Sequence, residues 1–279
     1  MYEALPVATG RADTQAQLNA QGARGFRYVS GYTFGSEQVA VYVKDSDPTY
    51  GYELQDEPDL GNDVNLQLTN YATWMNTHGA RGYTWAGPTF VGSQPVLILR
   101  KDLSSSATFS YRAQGTSNVS DDVLAQFQNQ GNEGYYPIGA FYSPNSYSGG
   151  IATVFQKDSQ SASTYDFEIL DAAGSAQGFM DQLNAQGARG YRFRSEFVFG
   201  GVTKAVFEKG LSQSAHFVFE QQPSANTSAT FLTKANALGA DGTALMGGLV
   251  LPGGESPTLY YTATDCSGLL CDVRSLFGF

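Results

Sequence analysis

The chain has 279 residues and 26 carboxylates against 16 Lys plus Arg, for a formal net charge of −10. Such a surface repels phosphate backbones and excludes nucleic acid as a partner. Hydrophobic residues make up 42%, enough for a continuous core, yet no apolar run approaches the roughly 20 residues of a membrane helix.

In chain order, one phrase is said five times. Residues 2–7 alternate as a half-buried strand, and a helical segment carrying Leu18 follows. That segment ends in Leu18-Asn19-Ala20-Gln21-Gly22-Ala23-Arg24-Gly25-Phe26, and residues 40–44 form a further strand. The second unit offers strand residues 50–55, a helical face of Leu68, Tyr71 and Met75, and strand residues 96–100. Its echo of the phrase is Met75-Asn76-Thr77-His78-Gly79-Ala80-Arg81-Gly82-Tyr83. In the third, strands at 109–114 and 153–157 flank a face of Val123, Leu124 and Phe127, with Gly131-Asn132-Glu133-Gly134-Tyr135.

The fourth unit is the best defined. Strand residues 165–170 lead to a face of Phe179, Met180 and Leu183, and Gln186-Gly187-Ala188-Arg189-Gly190-Tyr191 ends it. Tyr191 to Ser195 then alternates aromatic and charged, and residues 205–209 return. The fifth has strands at 217–222 and 258–262, Phe231 and Leu232 on its helix, and Gly239-Ala240-Asp241-Gly242. The first glycines stand at 22, 79, 131, 187 and 239. Each is expected to stop its helix at a left-handed C′ position: Gly22, Gly79, Gly131, Gly187 and Gly239.

The fold class is therefore α/β (α+β), five tandem β-α-β-β repeats at about 1–45, 50–102, 107–158, 163–210 and 215–265, with a tail at 266–279. Strands one and two of each unit are expected to pair in parallel across the helix, and strand three to pair antiparallel through the hairpin. A unit this small cannot cover its own sheet, so neighbours must complete it. Five units that begin and end flush, without polar caps, are expected to close into a pseudo-five-fold α/β propeller.

The unit resembles a family of small bacterial domains of unknown function. Those domains show a strand, a Leu-Asn-x-x-Gly-x-x-Gly-Trp type segment, and a hairpin ending in Lys or Arg. Here Leu18 to Phe26 and Leu183 to Tyr191 carry the segment, and Lys44, Arg100, Lys157 and Lys209 close hairpins. Tyr or Phe replaces the Trp, and Thr243 stands there in the fifth unit. The five-fold count is also similar in architecture to the pentein propeller, a likeness that implies an enzyme with a cysteine nucleophile, a histidine and carboxylates.

Cys266 and Cys271 are the two cysteines. A disulfide closing a short loop is the expected pairing in an oxidising compartment, and it competes with a nucleophilic thiol. His78 falls in the last turn of a helix, where a cation meets free carbonyls, and His216 begins a strand. We read the chain as non-catalytic, with no metal. The Gly-x-x-Gly turns follow helices, whereas a phosphate cradle precedes one. Arg24, Arg81, Arg189, Glu133 and Asp241, equivalent within the motif, suggest charge contacts between neighbouring units.

The departures from the repeat lie at 56–63, 142–150 and 251–257, all at one end of the sheets. Loops on a rigid scaffold are where binding concentrates. Candidate binding residues are Asp56, Glu57, Asp59, Asp63, Tyr142, Asn145 and Tyr147. The acidic group has oxygen ligands for calcium without the calcium-loop spacing. Tyr142, Tyr147 and Trp85 are candidate sugar-stacking side chains. No cofactor is expected. The expected function is a secreted or cell-envelope repeat protein that binds a protein, a glycan or itself through one rim. Low lysine and high Gly, Ser, Thr, Asn, Gln and Tyr support an extracellular or periplasmic location. A removed signal would account for the lack of a basic-then-apolar start. The runner-up is a pentein-like enzyme acting on a small molecule.

Overall fold

The computed structural model describes residues 1–44, 48–61, 63–142, 150–251 and 253–266. Unit 1 holds β1 (Tyr2–Pro6), α1 (Arg11–Ala23), β2 (Phe26–Phe34) and β3 (Glu37–Lys44). Unit 2 holds β4 (Tyr50–Asp56), α2 (Val64–Gly79), β5 (Tyr83–Val91) and β6 (Gln94–Asp102). Unit 3 holds β7 (Phe109–Gly115), α3 (Ser120–Asn132), β8 (Tyr136–Tyr142) and β9 (Ile151–Asp158). Unit 4 holds β10 (Tyr165–Asp171), α4 (Ala176–Ala188), β11 (Arg192–Phe199) and β12 (Val202–Gly210). Unit 5 holds β13 (His216–Gln222), α5 (Ser228–Ala240), β14 (Ala244–Gly248) and β15 (Thr258–Thr264).

Each unit makes one three-stranded sheet, and its third strand lies in the middle, antiparallel to both others. The expected parallel pairing of strands one and two is thus replaced by an insertion. The cause is burial. Val39 to Val43 and Val96 to Leu99 are buried without interruption. A strand covered on both faces reads as a continuous apolar run, and such a strand belongs in the centre of a sheet. The second strands, each at a sheet edge, share one irregularity, an extra residue that shifts the register between Tyr28 and Ser30, Trp85 and Gly87, Pro137 and Gly139, Phe193 and Ser195, and Leu245 and Gly247.

The helix of each unit packs on the first strand of the next: α1 on β4, α2 on β7, α3 on β10, α4 on β13, and α5 back on β1. Phe127 of α3 shows how the core crosses a junction. Its ring meets Phe155 of its own sheet edge to face at 5.5 Å and Phe167 of the next at 5.4 Å, so Phe127→Ala is expected to cost about 3–5 kcal/mol.

Polar clamps fix the register. Asn19 Oδ1 accepts from Tyr52 N at 2.9 Å, Asn76 Oδ1 from Tyr111 N at 2.8 Å, Asn184 Oδ1 from Phe219 N at 2.8 Å, and Asn236 Oδ1 from Tyr2 N at 2.6 Å. The Asn76, Asn184 and Asn236 amides also donate to the carbonyls of those same residues. The clamped tyrosines reach onward to the second strand of the preceding unit. Tyr52 Oη accepts from Tyr28 N at 2.9 Å, beside the extra residue, and Tyr2 Oη accepts from Leu245 N at 2.8 Å.

The two glycines of the motif divide the work differently from expectation. Gly187 lies inside α4, and a Cβ there would sit 2.0 Å from Phe217 O of the next unit. Gly22, Gly79 and Gly131 face the same obstruction at 2.2–2.3 Å. The first glycine therefore sets how closely two units approach. The left-handed C′ residue is the second glycine: Gly190 has φ 86°, and Gly25, Gly82, Gly134 and Gly242 have φ between 82° and 86°. Gly190 N donates to Gly187 O and Tyr191 N to Gln186 O, the paired bonds of a Schellman helix end.

Candidate functional site

The molecule has two rims. In every unit the first strand ends beside the hairpin of strands two and three, as Asp56 opposite Val96 and Asp171 opposite Lys204 show. The short linkers and the Gly-x-x-Gly turns lie at the other end.

On the linker rim the charges satisfy one another. Arg24 pairs with Glu3 at 2.7 Å, Arg189 with Glu168 at 2.5 Å, and Arg81 with Glu53. In unit 3 the signs are exchanged, and Arg112 of the strand pairs with Glu133 of the motif at 2.6 Å. These contacts run within units, from motif to first strand, and not between neighbours as the sequence suggested. Each guanidinium also lies 4.1–5.0 Å from the centre of the aromatic ring after the second glycine. In units 1 to 4 the lysine ending the hairpin approaches the same ring: Lys44, Lys101 (in place of the expected Arg100, which is buried), Lys157 and Lys209.

Hydrogen bonding to Arg24, Arg112 and Arg189 holds Glu3, Glu133 and Glu168 below the usual carboxylate range. For Glu53, burial pushes upward most strongly, but hydrogen bonds from Arg81 and Tyr83 together with the nearby charges of Arg81 and His78 outweigh it, and it too is lowered. His78 ends α2 with Nδ1 3.6 Å from Glu53, its pKa lowered by burial against the pull of that carboxylate. In unit 5 the same positions hold Glu220, Asp241, Thr243 and Thr262, and the two threonine hydroxyls bond to each other at 3.0 Å.

The hairpin rim has the opposite character. Of the twelve large hydrophobic side chains exposed among the described residues, eight stand there: Val7, Leu66, Phe90, Val119, Ile151, Val198, Val202 and Val250. Around them lie the exposed carboxylates of Asp13, Glu37, Asp56, Glu57, Asp59, Asp63, Asp121, Asp122, Asp171 and Glu255. The cations described on this rim are Arg11, paired with Asp56 at 2.5 Å, and Lys204, paired with Asp171. Between β2, β5 and β14 a hollow of about 340 Å³ is lined by Tyr28, Val29, Ser30, Gly31, Tyr32, Ala86, Gly87, Pro88, Gly247 and Gly248. No lining side chain is charged. Its walls come from three strands that each stand at the edge of a sheet.

Asp56, Glu57, Asp59 and Asp63 all lie on this rim. Asp59 accepts from Gly61 N at 2.9 Å, a local turn. Among the described residues no three His, Cys, Asp or Glu side chains converge as metal ligands. Tyr142 ends β8, and its side chain, like Asn145, Tyr147 and Cys271, lies outside what the structure describes. Cys266 is not a free thiol and packs against the cores of several units. Trp85 is buried and is no stacking platform. His216 Nδ1 lies 3.9 Å from Asp265 in unit 5, whereas His78 faces Glu53 in unit 2, so the two histidines serve separate surroundings.

Sequence reasoning missed a buried charged layer. Tyr191 to Ser195 reads as aromatic on one side and charged on the other, yet Arg192 and Arg194 are both buried, as are Glu208, Arg27 and Arg100. Arg192 stands opposite Glu208 across the strand pair, and Arg194 Nε lies 3.3 Å from the same carboxylate. Burial, reinforced by Arg192 and opposed by Glu208, lowers Arg194 to about 10. The signal was Glu208 itself, a carboxylate directly after the apolar run Ala205 to Phe207 of a central strand.

No helix among the described residues is long and apolar enough to cross a membrane. No curated protein and no solved structure matches the chain. A family model, PT dipeptide repeat lipoprotein, matches residues 81–267, from the end of α2 to just past Cys266. The Pro-Thr dipeptide itself occurs singly, at Pro48-Thr49, Pro88-Thr89 and Pro257-Thr258. With two thirds of its length matched, this tandem-repeat chain belongs to the PT dipeptide repeat lipoprotein family.

Proposed function

We propose that the chain is a non-catalytic repeat protein of the cell envelope whose five units close into a ring, and that it binds a partner through the hairpin rim. Family membership supports the envelope location. Packing of α5 on β1, with the Asn236–Tyr2 clamp repeating those of three other junctions, supports closure. The observation that carries the binding face is that eight of the twelve exposed large hydrophobic side chains among the described residues stand at one end of the sheets, an uneven sharing of exposed apolar surface of the kind that accompanies interaction sites. The linker rim spends its charges on itself and leaves little to offer. The enzyme reading needs a free thiol near the C-terminus, and Cys266 is not one. We further propose that Cys266 is joined to Cys271.

Replacing the connections at 56–63, 142–150 and 251–257 with the short forms of unit 4 tests the reading. The fold should persist by circular dichroism, and binding to a natural envelope partner should disappear. Retained binding, together with its loss on substitution of Arg24, Arg81 and Arg189, would place the working face at the other end.

A further inference from the structure

We infer that the hairpin rim receives a cationic protein segment with an apolar face, a deepening that rests on the rim being the binding surface. Two properties of the rim meet in one partner. Phe90, Val198 and Val250 are each about two-thirds exposed, and only an apolar counterpart removes them from water. Among the described residues, interspersed carboxylates such as Glu37, Glu57 and Asp122 exceed the rim's cations, Arg11 and Lys204, which already sit in ion pairs. A docking surface with one sign of charge selects the opposite sign and repels its own. A second copy would bring the same acidic rim and is disfavoured. A neutral glycan would want aromatic platforms, whereas seven of the eight exposed large apolar side chains among the rim's described residues are aliphatic.

The test uses the full chain and three labelled peptides of about 14 residues, read by fluorescence anisotropy. One patterns Leu and Lys as an amphipathic helix, the second replaces Lys with Glu, and the third replaces Leu with Ser. The Leu/Lys peptide should bind at least about tenfold more tightly than either control, and lose about tenfold between 50 and 300 mM NaCl as screening shortens. The triple variant Phe90→Ser/Val198→Ser/Val250→Ser should weaken it about tenfold. Leu103→Ser/Leu211→Ser, at exposed residues of the linker rim, should leave it unchanged. Equal loss in both variants, salt-insensitive binding, or no preference among the peptides overturns the inference. Rim-dependent dimerisation, or a neutral oligosaccharide whose binding the triple variant removes, also overturns it while sparing the rim as the working face. Partner binding unaffected by the hairpin exchange instead sinks the broader reading. Thermal unfolding of each variant separates lost binding from lost folding.

Discussion

Four junctions join units that follow one another along the chain, and one joins the last unit to the first. The four bring a helix glycine so close to the next strand that a Cβ would meet a backbone carbonyl at 2.0–2.3 Å. At the seam, a Cβ on Gly239 would meet the Tyr2 ring at 3.4 Å, an ordinary contact. The asparagine clamp nevertheless survives there, with Tyr2 N 2.6 Å from Asn236 Oδ1. Distance and register are therefore set by different residues. Glycine governs how near two units come, and asparagine governs which residues face each other.

The largest test of that division is a pair of substitutions. Gly187→Ala should cost roughly 2–4 kcal/mol, since Phe217 O is backbone and cannot swing away. Gly239→Ala should be neutral or stabilise by up to about 1 kcal/mol through helix propensity. Urea midpoints decide it, and equal losses would show the seam to be as tight as the rest. Next in size are the clamps. Asn184→Ala and Asn236→Ala each strand a backbone amide, for about 1–3 kcal/mol. The second should release β1 locally, so that amide exchange quickens at residues 2–6 before the rest of the molecule. Uniform acceleration would mean that the seam opens only with the whole.

Unit 5 also differs from units 1–4 on the linker rim, and two smaller effects probe that contrast. Glu3, Glu53, Glu133 and Glu168 are held below the carboxylate reference of 4.5. Their pairs stabilise fully above about pH 4.5, and the contribution disappears as pH falls through the lowered values. The urea midpoint should fall in acid, and less so in Glu3→Gln/Glu168→Gln; an identical fall in that variant would show that the pairs do not drive it. Smallest of all, Asp241→Arg with Thr243→Tyr should recreate in unit 5 the pair and ring of the others. A gain of about 0.5–1 kcal/mol in thermal unfolding is expected, and a loss would show that Glu220 does not face position 241.

The repeat, its strands and its helical faces were legible because periodicity is local. Strand order was not, because the choice between a parallel neighbour and an inserted third strand depends on which strand is covered twice. The unbroken run from Val96 to Leu99 was the available clue. Gly187 was assigned the duty of Gly190 since its obstacle, Phe217 O, lies on the next unit and leaves no mark nearby. Asn184 was visible as part of a phrase, but its target is backbone, and backbone has no sequence. The acidic connection at 56–63 could be placed on its rim from strand direction alone. The exposed Phe90 and Val198 could not, since alternation alone does not say which end of a strand leaves the core.

The clamps also impose an order in time. Asn19, Asn76 and Asn184 reach partners 33 to 35 residues downstream, while Asn236 reaches Tyr2 across 234. Closing the longer span costs about 1.7 kcal/mol more in chain entropy. During synthesis each earlier junction can form as soon as the following strand emerges. The first strand made is the last to be covered, waiting on the final helix. Until then the nascent protein keeps β1 without its helix, and the interval between β1 and α5 is when it is most exposed to a wrong partner.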